Sequence, residues 1–230
     1  MNQPAEATVV IPVLDEERAL PRLIASLEQQ SLRPAEVIVV DGGSRDGTCG
    51  WVRDYMQRTD APLRLRLLQL QGSRPGRGRN AGVRAAATDF VACSDSGTEV
   101  HPDWLAHLVH ALVADGGADV AIGGFVARGD TPFERYAGAM LVRPARKVKL
   151  LYAGGVSIAF RRAAWERVGG YPEDVYPCED AVFLRELDAA GLRMVRAVEA
   201  TTYWRPRASL RGVARQYRGY AWGDANIGLG

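Results

Sequence analysis

Three acidic side chains stand where predicted strands end. Glu16, Asp41 and Asp95 each follow a short apolar run, at residues 8–13, 36–40 and 90–93. Runs of this kind are typical of buried strands in a parallel sheet, and ligands bind beyond the carboxyl ends of such strands. The three carboxylates are therefore candidates for binding a base N–H, ribose hydroxyls or a metal ion. Turn-forming aspartates and acidic charges at a helix start would account for the same residues, and this alternative stays open.

A segment rich in glycine and arginine, residues 72–80, precedes the strand at 90–93. We predict it as a loop in which Arg74, Arg77 and Arg79 grip a diphosphate through bidentate hydrogen bonds. The spacing of its glycines differs from the dinucleotide-binding fingerprint, and the segment does not follow the first strand. A solvated basic loop would have the same composition.

The elements that must position these residues alternate between strands and helices. Helices are predicted at 19–30, 49–57, 81–87, 102–114, 161–168, 179–190 and 210–220, and further strands at 63–70, 118–126, 156–160 and 192–203. Residues 128–149 show a less regular pattern. This alternation predicts an α/β fold with a mostly parallel, Rossmann-like sheet flanked by helices.

Composition limits the class of protein. The chain has 230 residues and a formal net charge of +2, which indicates no nucleic-acid partner. Its three cysteines are far apart, as expected in a reducing, cytoplasmic compartment. No apolar run approaches the roughly 20 residues that span a bilayer, and the first residues lack a signal-peptide pattern. The final Gly-Leu-Gly has no capping element, a feature that a chain truncated at its C-terminus would also show.

Three motifs resemble those of the family 2 glycosyltransferases, which have the GT-A fold. They are Val10-Ile11-Pro12-Val13-Leu14-Asp15-Glu16, then Val39-Val40-Asp41-Gly42-Gly43-Ser44-Arg45-Asp46-Gly47-Thr48, then Arg79-Asn80-Ala81-Gly82. The resemblance covers nearly the whole chain. It implies a single GT-A domain, with a donor-binding half at about residues 1–100 and an acceptor-binding half at about 101–230. It also implies inverting transfer of a sugar from a nucleotide diphosphate donor.

The resemblance assigns donor-binding roles by position. Pro12, Leu14 and Glu16 would border the nucleotide base, and Asp41 would bond to it. The other residues implied on the donor side are Arg74, Arg79, Asn80, Asp95, Gly154 and Gly155. The two glycines resemble the glycine loop that lies beside the donor sugar in this family.

A divalent metal, Mg²⁺ or Mn²⁺, is implied with one departure from the family pattern. Asp95 takes the first place of the Asp-x-Asp motif, but Gly97 takes the second. Glu99 stands where a side-chain oxygen reaches the metal in the similar dolichyl-phosphate mannose synthases. Asp95 and Glu99 together offer the oxygen ligands that these cations prefer.

The catalytic base is implied by a Glu-Asp motif, Cys178-Glu179-Asp180. An inverting transfer needs one carboxylate to take the proton of the attacking hydroxyl. Asp180 is the first candidate and Glu179 the second. Acidic residues in the first turn of a helix are also favoured by the helix dipole, which is the alternative.

The expected function is transfer of a sugar from a nucleotide diphosphate sugar to a hydroxyl of a glycan or lipid-linked acceptor. A nucleotidyltransferase would instead carry a glycine-rich loop with a basic residue after the first strand, where this chain has Leu14-Asp15-Glu16. A nucleotide-sugar-binding module that has lost its metal is the second alternative, because of Gly97.

Basic residues suggest a peripheral membrane contact on the acceptor side, at the inner face of the membrane. They are Arg143, Arg146, Lys147 and Lys149, together with Arg207, Arg211, Arg215 and Arg218. Anionic membranes attract such clusters, although a solvated basic face is an equally good interpretation.

Overall fold

A computed structural model describes residues 5–114, 116–141 and 155–227. Eight strands form one sheet: β1 Ala7–Val13, β2 Glu36–Asp41, β3 Leu65–Gln69, β4 Phe90–Cys93, β5 Thr98–Val100, β6 Val120–Ala127, β7 Ile158–Arg161 and β8 Met194–Trp204. Eight helices flank it: α1 Leu20–Glu28, α2 Thr48–Gln57, α3 Pro75–Ala85, α4 Trp104–Val113, α5 Pro132–Leu141, α6 Arg162–Val168, α7 Glu179–Ala189 and α8 Leu210–Ile227.

The strands lie in the order β3-β2-β1-β4-β7-β6-β8-β5. The first four are parallel, and β8 is parallel to β6, whereas β7 and β5 run antiparallel to their neighbours. The predicted mostly parallel α/β sheet is therefore confirmed. Because β2, β1 and β4 are adjacent, their carboxyl ends meet at one edge, with Val13 opposite Asp41 and Val10 opposite Cys93.

Alternation along the central strands divides the core into two layers. On β1, Val9, Ile11 and Val13 pack into one cluster with residues of α1, α2 and α4. Val10 faces the other cluster, which includes side chains of α3, α6 and α7. The apolar runs lack a polar face because both faces of these strands are covered by helices.

The prediction of a loop at residues 72–80 was wrong, because α3 begins at Pro75. Its glycines permit close packing. A Cβ at Gly82 would lie 2.3 Å from the Val10 side chain, and one at Gly76 would lie 2.5 Å from the Pro172 carbonyl oxygen. Proline at the first helical position is also favourable, since its missing N–H has no partner there in any case.

Two further elements differ from the sequence-based prediction. The short strand β5 was not predicted, and α5 occupies part of the region that was expected to be irregular. The predicted residues Gly154, Arg143, Arg146, Lys147 and Lys149 lie outside the described ranges. Within those ranges, no helix combines the length and apolar character needed to cross a membrane.

Candidate active site

Two loops at the carboxyl edge of the sheet are joined by reciprocal hydrogen bonds. The loop after β1 and the loop after β2 exchange five backbone N–H bonds with each other's side chains. The donors and acceptors are Asp15 N to Ser44 Oγ (2.8 Å), Glu16 N to Thr48 Oγ1 (2.8 Å), Glu17 N to Asp46 Oδ2 (3.1 Å), Arg45 N to Asp15 Oδ1 (2.8 Å) and Gly47 N to Glu17 Oε2 (2.9 Å). Asp15 adopts a positive φ of 55° within this network. These bonds form one wall of a crevice.

The predicted base-binding residues lie on or behind this wall. Leu14 is 55% exposed, and Pro12 lies in β1 beside Val40. Asp41 is 1% exposed, and its carboxylate accepts hydrogen bonds from the backbone N–H groups of Gly43 (3.1 Å) and Ser44 (3.0 Å). Burial acts to raise the pKa of Asp41, but hydrogen bonds from Ser44, Cys49 and Gly43 outweigh it and lower the pKa.

Replacing Asp41 with alanine is expected to lower the free energy of unfolding by about 1–3 kcal/mol, because two partly buried N–H groups lose their acceptor. The pKa of Asp41 is lower in the folded protein, so its contribution is present above the unfolded pKa and is lost as the pH falls through the folded value. The difference in the free energy of unfolding between wild type and Asp41→Ala should therefore become smaller as the pH falls below 3.8, the ordinary pKa of an aspartate. Urea unfolding at neutral and acid pH measures it. Equal stability at neutral pH would contradict this role.

Arg79 joins two elements at the floor of the crevice. Its guanidinium is 3% exposed and donates to Asp95 Oδ1 and to Glu179 Oε1, both at 2.6 Å. It also lies over the Tyr171 ring, 5.4 Å from the centroid. Burial disfavours the charged form of the guanidinium and acts to lower its pKa. The negative charges of Asp95 and Glu179 outweigh this effect and hold the pKa of Arg79 well above its usual range. Arg79 thus fixes the carboxylates of the β4–β5 turn and of α7 relative to each other.

Asn80 holds the segment before α7 against α3. Its Nδ2 donates to the Tyr171 carbonyl (2.8 Å) and to Glu173 (2.9 Å), and its Oδ1 accepts from Trp165 Nε1 and from Tyr171 N, both at 2.9 Å. All four hydrogen-bonding positions of this amide are therefore used within the protein. The structure places Asn80 in a supporting position.

The other predicted arginines contact the segment before α7. Arg74 donates to the Asp174 carbonyl oxygen at 2.9 Å, and the Nε atom of Arg77 is 3.9 Å from Glu173. These two contacts attach the first turn of α3 to the segment before α7.

Asp180 faces the crevice from the first turn of α7. It is partly exposed, whereas Glu179 is 6% exposed. Asp180 Oδ2 accepts a hydrogen bond from the Gly155 backbone N–H at 2.6 Å, and Oδ1 accepts from Ala181 N at 2.9 Å. Burial, together with the neighbouring Asp180, raises the pKa of Glu179 against the opposing effect of Arg79. The motif thus contains one buried, paired carboxyl and one accessible carboxylate.

Residues that the sequence did not identify complete the crevice. Burial raises the pKa of Glu16, while a hydrogen bond from Ser96 and the charge of Arg207 oppose the rise. Burial also raises the pKa of Tyr220, and Asp180 and Asp95 act in the same direction. These interactions bring α8 and the segment before it to the crevice. Within α8, Gln216 Nε2 donates to the Tyr220 hydroxyl at 2.8 Å.

The carboxylates near Asp95 are the candidate metal ligands. Within the described ranges, no three Asp, Glu, His or Cys side chains come close enough together to hold a metal ion. Asp95 is 45% exposed and one of its oxygens is bonded to Arg79. Gly97 supplies no ligand, and Glu99 lies on β5, paired with Tyr203 of β8. These side chains do not fit a metal held by the protein alone.

Comparison with known proteins gives consistent matches. The family model described as Glycosyl transferase family 2 matches residues 8–168. The pre-mycofactocin glycosyltransferase of Mycobacterium tuberculosis is 32% identical over 199 residues, which cover 82% of this chain and 40% of that protein. The succinoglycan biosynthesis protein ExoA of Rhizobium meliloti is 31% identical over 236 residues, covering 94% of this chain and 68% of that protein. The chain thus spans less than half of the mycobacterial relative.

Solved structures share the fold. TarS residues 1–349 from S. aureus, in complex with UDP-GlcNAc, superposes with a TM-score of 0.73 at 21% identity, covering 90% of this chain and 60% of that one. The mannosyltransferase PcManGT from Pyrobaculum calidifontis, in complex with GDP-Man and Mn²⁺, gives a TM-score of 0.72 at 24% identity, covering 95% and 61%.

Proposed function

Because the chain belongs to glycosyltransferase family 2 and has the GT-A fold, we propose that it transfers a sugar from a nucleotide diphosphate donor to a hydroxyl of a glycan or lipid-linked acceptor. The transfer inverts the configuration of the anomeric carbon. The mycobacterial relative is named as a glycosyltransferase, and ExoA as a succinoglycan biosynthesis protein, which supports a glycan product. UDP-GlcNAc and GDP-Man in the similar structures support a nucleotide-sugar donor.

One observation carries the proposal: Arg79 bridges Asp95 and Glu179, which brings the first turn of α7, with its partly exposed Asp180, close to the end of β4. The wall after β1 and β2 would receive the nucleotide, with Leu14 and Glu16 toward the base. Asp95 has one oxygen free of Arg79, and it would accept a ribose hydroxyl. The donor sugar would then lie near Gly155, whose N–H is bonded to Asp180.

The chemical step needs a base and a stabilised leaving group. Asp180 would accept the proton of the acceptor hydroxyl as the oxygen forms its bond to the anomeric carbon. The bond from that carbon to the donor phosphate breaks on the opposite face, and the nucleoside diphosphate leaves with the electron pair. Positive side chains stabilise the charge that develops on the diphosphate. Arg207, which lies close enough to Glu16 to affect its pKa, is one such group.

Asp180 is a better base than Glu179 for two reasons. Glu179 is buried and paired with Arg79 at 2.6 Å, so an acceptor hydroxyl cannot easily reach it. Asp180 is partly exposed, and its bond from Gly155 fixes the direction of the carboxylate. Glu179 would therefore act as a positioning residue, holding Arg79 and through it Asp95.

A divalent metal is a general feature of the resemblance, and the Mn²⁺ of PcManGT supports it for this fold. The prediction that Asp95 and Glu99 hold Mg²⁺ or Mn²⁺ has weaker support in this chain, because one oxygen of Asp95 bonds to Arg79 and position 97 is glycine. The chemistry proposed above therefore rests on the side chains of the protein.

A ligand screen tests the function. Thermal unfolding is measured with nucleoside diphosphates and sugar nucleotides of each common base, in chelator and in Mn²⁺. A ligand that binds the folded state raises the unfolding temperature by mass action. The best donor is then assayed for hydrolysis and for transfer to glycan and lipid-linked acceptors. Binding without turnover would favour the binding module, and pyrophosphate release from a nucleoside triphosphate would favour the nucleotidyltransferase.

Membrane contact and a location at the inner face of the cytoplasmic membrane stay predictions. The exposed Arg207, Arg211, Arg215 and Arg218 lie on and before α8, which also exposes Trp222. We expect the protein to sediment with anionic vesicles at low salt and to be released at high salt, because screening weakens such attraction. Neutral vesicles are the control. Absence from the anionic pellet at low salt would contradict the prediction.

A further inference from the structure

A second concave surface begins at the turn that carries Asp95. It is a shallow groove between the start of α1, strand β5 and the ends of β6 and β8. We call it the arginine groove; its lining includes Arg22, Gly97, Glu99, Arg128, Tyr203 and Arg205. Because Gly97 is two residues from Asp95, the groove adjoins the crevice.

The charge of the arginine groove is positive. Three guanidinium groups line it against a single carboxylate, Glu99. Arg205 is paired with Asp130 at 2.6 Å. In the part of the chain that the structure describes, Arg22 and Arg128 form no ion pair with any carboxylate. Two guanidinium groups therefore face this surface without an acidic partner.

Arg128 is held in a position suited to an anion. Its guanidinium lies over the Tyr203 ring, 3.9 Å from the centroid. Stacking on an aromatic face orients the guanidinium plane and leaves its N–H groups free along the edge. Such an edge matches two oxygens of a phosphate group bidentately. Tyr203 is itself fixed by backbone pairing with Glu99 across β5 and β8.

Gly97 keeps the groove free of further negative charge. A Cβ at this position would meet no atom within 4 Å, and its backbone does not require glycine. The glycine is thus not explained by packing or by a left-handed conformation. An aspartate there, as in the family motif, would place a carboxylate on the groove surface beside unpaired arginines.

We propose that the arginine groove binds a phosphate or diphosphate group, with Arg128 and Arg22 as its donors. The group belongs either to the leaving diphosphate of the donor or to a phosphorylated acceptor. The assignment of this phosphate to the donor or the acceptor rests on the proposed function. The affinity of the arginine groove for phosphate does not. Gly97 is therefore the residue that permits an anion where the family motif has a carboxylate.

The test measures binding of inorganic pyrophosphate by calorimetry in chelator, so that no metal contributes. The double variant Arg22→Ala/Arg128→Ala is expected to bind at least about tenfold more weakly than wild type. Arg33→Ala is the matched control, since Arg33 is exposed, lies beyond the far end of α1 and carries the same charge. Gly97→Asp should weaken binding similarly, and Gly97→Ala should not. Circular dichroism confirms that each variant is folded.

The source of the phosphate is assigned by a second titration with the nucleoside diphosphate that binds best. A parallel loss of nucleoside diphosphate affinity in the double variant assigns the groove to the donor, and unchanged affinity assigns it to a phosphorylated acceptor. Absence of pyrophosphate binding by wild type, an equal loss in Arg33→Ala, or equal binding by Gly97→Asp and Gly97→Ala would overturn the proposal. These binding results are independent of whether sugar is transferred.

Discussion

Exchange of Asp180 for asparagine is expected to reduce the rate of sugar transfer by about 10²–10⁴-fold while leaving donor affinity nearly unchanged. The amide cannot take up the proton of the acceptor hydroxyl, but its oxygen can still accept the hydrogen bond from the Gly155 N–H. A base acts in the transition state and not on the bound nucleotide, so the loss should fall on kcat. Single-turnover rates and donor Kd are measured separately.

Glu179→Gln is the matched control for this substitution. It changes the neighbouring carboxylate of the same helical turn, but that carboxylate is buried against Arg79. We expect it to alter stability more than the chemical step. Equal loss of donor binding and rate in Asp180→Asn would give Asp180 a structural role, and transfer at the wild-type rate would exclude it as the base.

Replacing Arg79 with methionine is expected to cost about 3–5 kcal/mol of folding stability. The side chain is 3% exposed, and its removal leaves Glu179 buried without a partner. Most of the loss should come from this pair, because Asp95 is 45% exposed and solvent screens its charge. The free energy of unfolding in urea measures the effect. Arg84→Met, which breaks an exposed pair with Glu173, should cost only about 0–1 kcal/mol.

The Arg79 variant should also show a characteristic pH dependence. The pKa of Glu179 is already raised in the folded protein, and loss of Arg79 removes a charge that lowers it. A carboxyl with a raised folded pKa destabilises the protein as the pH rises from the unfolded value through the folded one. The cost of Arg79→Met should thus be smaller near pH 4.5, the ordinary value, than above pH 7. Addition of Glu179→Gln should recover part of the stability. A stability loss in Arg79→Met that does not change with pH would contradict the attribution of this loss to the buried carboxyl of Glu179.

The central sheet could be predicted because its signal is local. Apolar runs defined β1, β2 and β4, and the order of strands brought Asp41 and Asp95 to one edge, as expected from parallel pairing. The glycines of α3 could not be interpreted in this way. Gly76 and Gly82 allow close contacts with Pro172 and Val10, which are far away in the chain. Because the sequence does not reveal these contacts, the high glycine content of the segment suggested a loop.

The contacts of the candidate site residues could not be predicted from the sequence. Arg79 was expected to grip a diphosphate, and the structure buries it between two carboxylates, one 16 and the other 100 residues away. Asn80 was expected at the donor, but its amide holds the segment around Tyr171. Arg207 and Tyr220 reach the crevice only through the return of α8, which no pattern along the chain indicates. Roles of this kind depend on long-range packing.

The reciprocal hydrogen bonds between the loops after β1 and β2 have a consequence for the energetics of ligand recognition. Five N–H groups in these loops have side-chain acceptors within the protein itself. The conformational entropy of these residues is thus lost when the chain folds and not when a ligand arrives. A preorganised surface of this kind retains more of its interaction energy as affinity, because little ordering remains to oppose association. A substitution that removes one of these hydrogen bonds would therefore leave the opposite loop less ordered. Ligand affinity would fall even where the substituted residue does not contact the ligand.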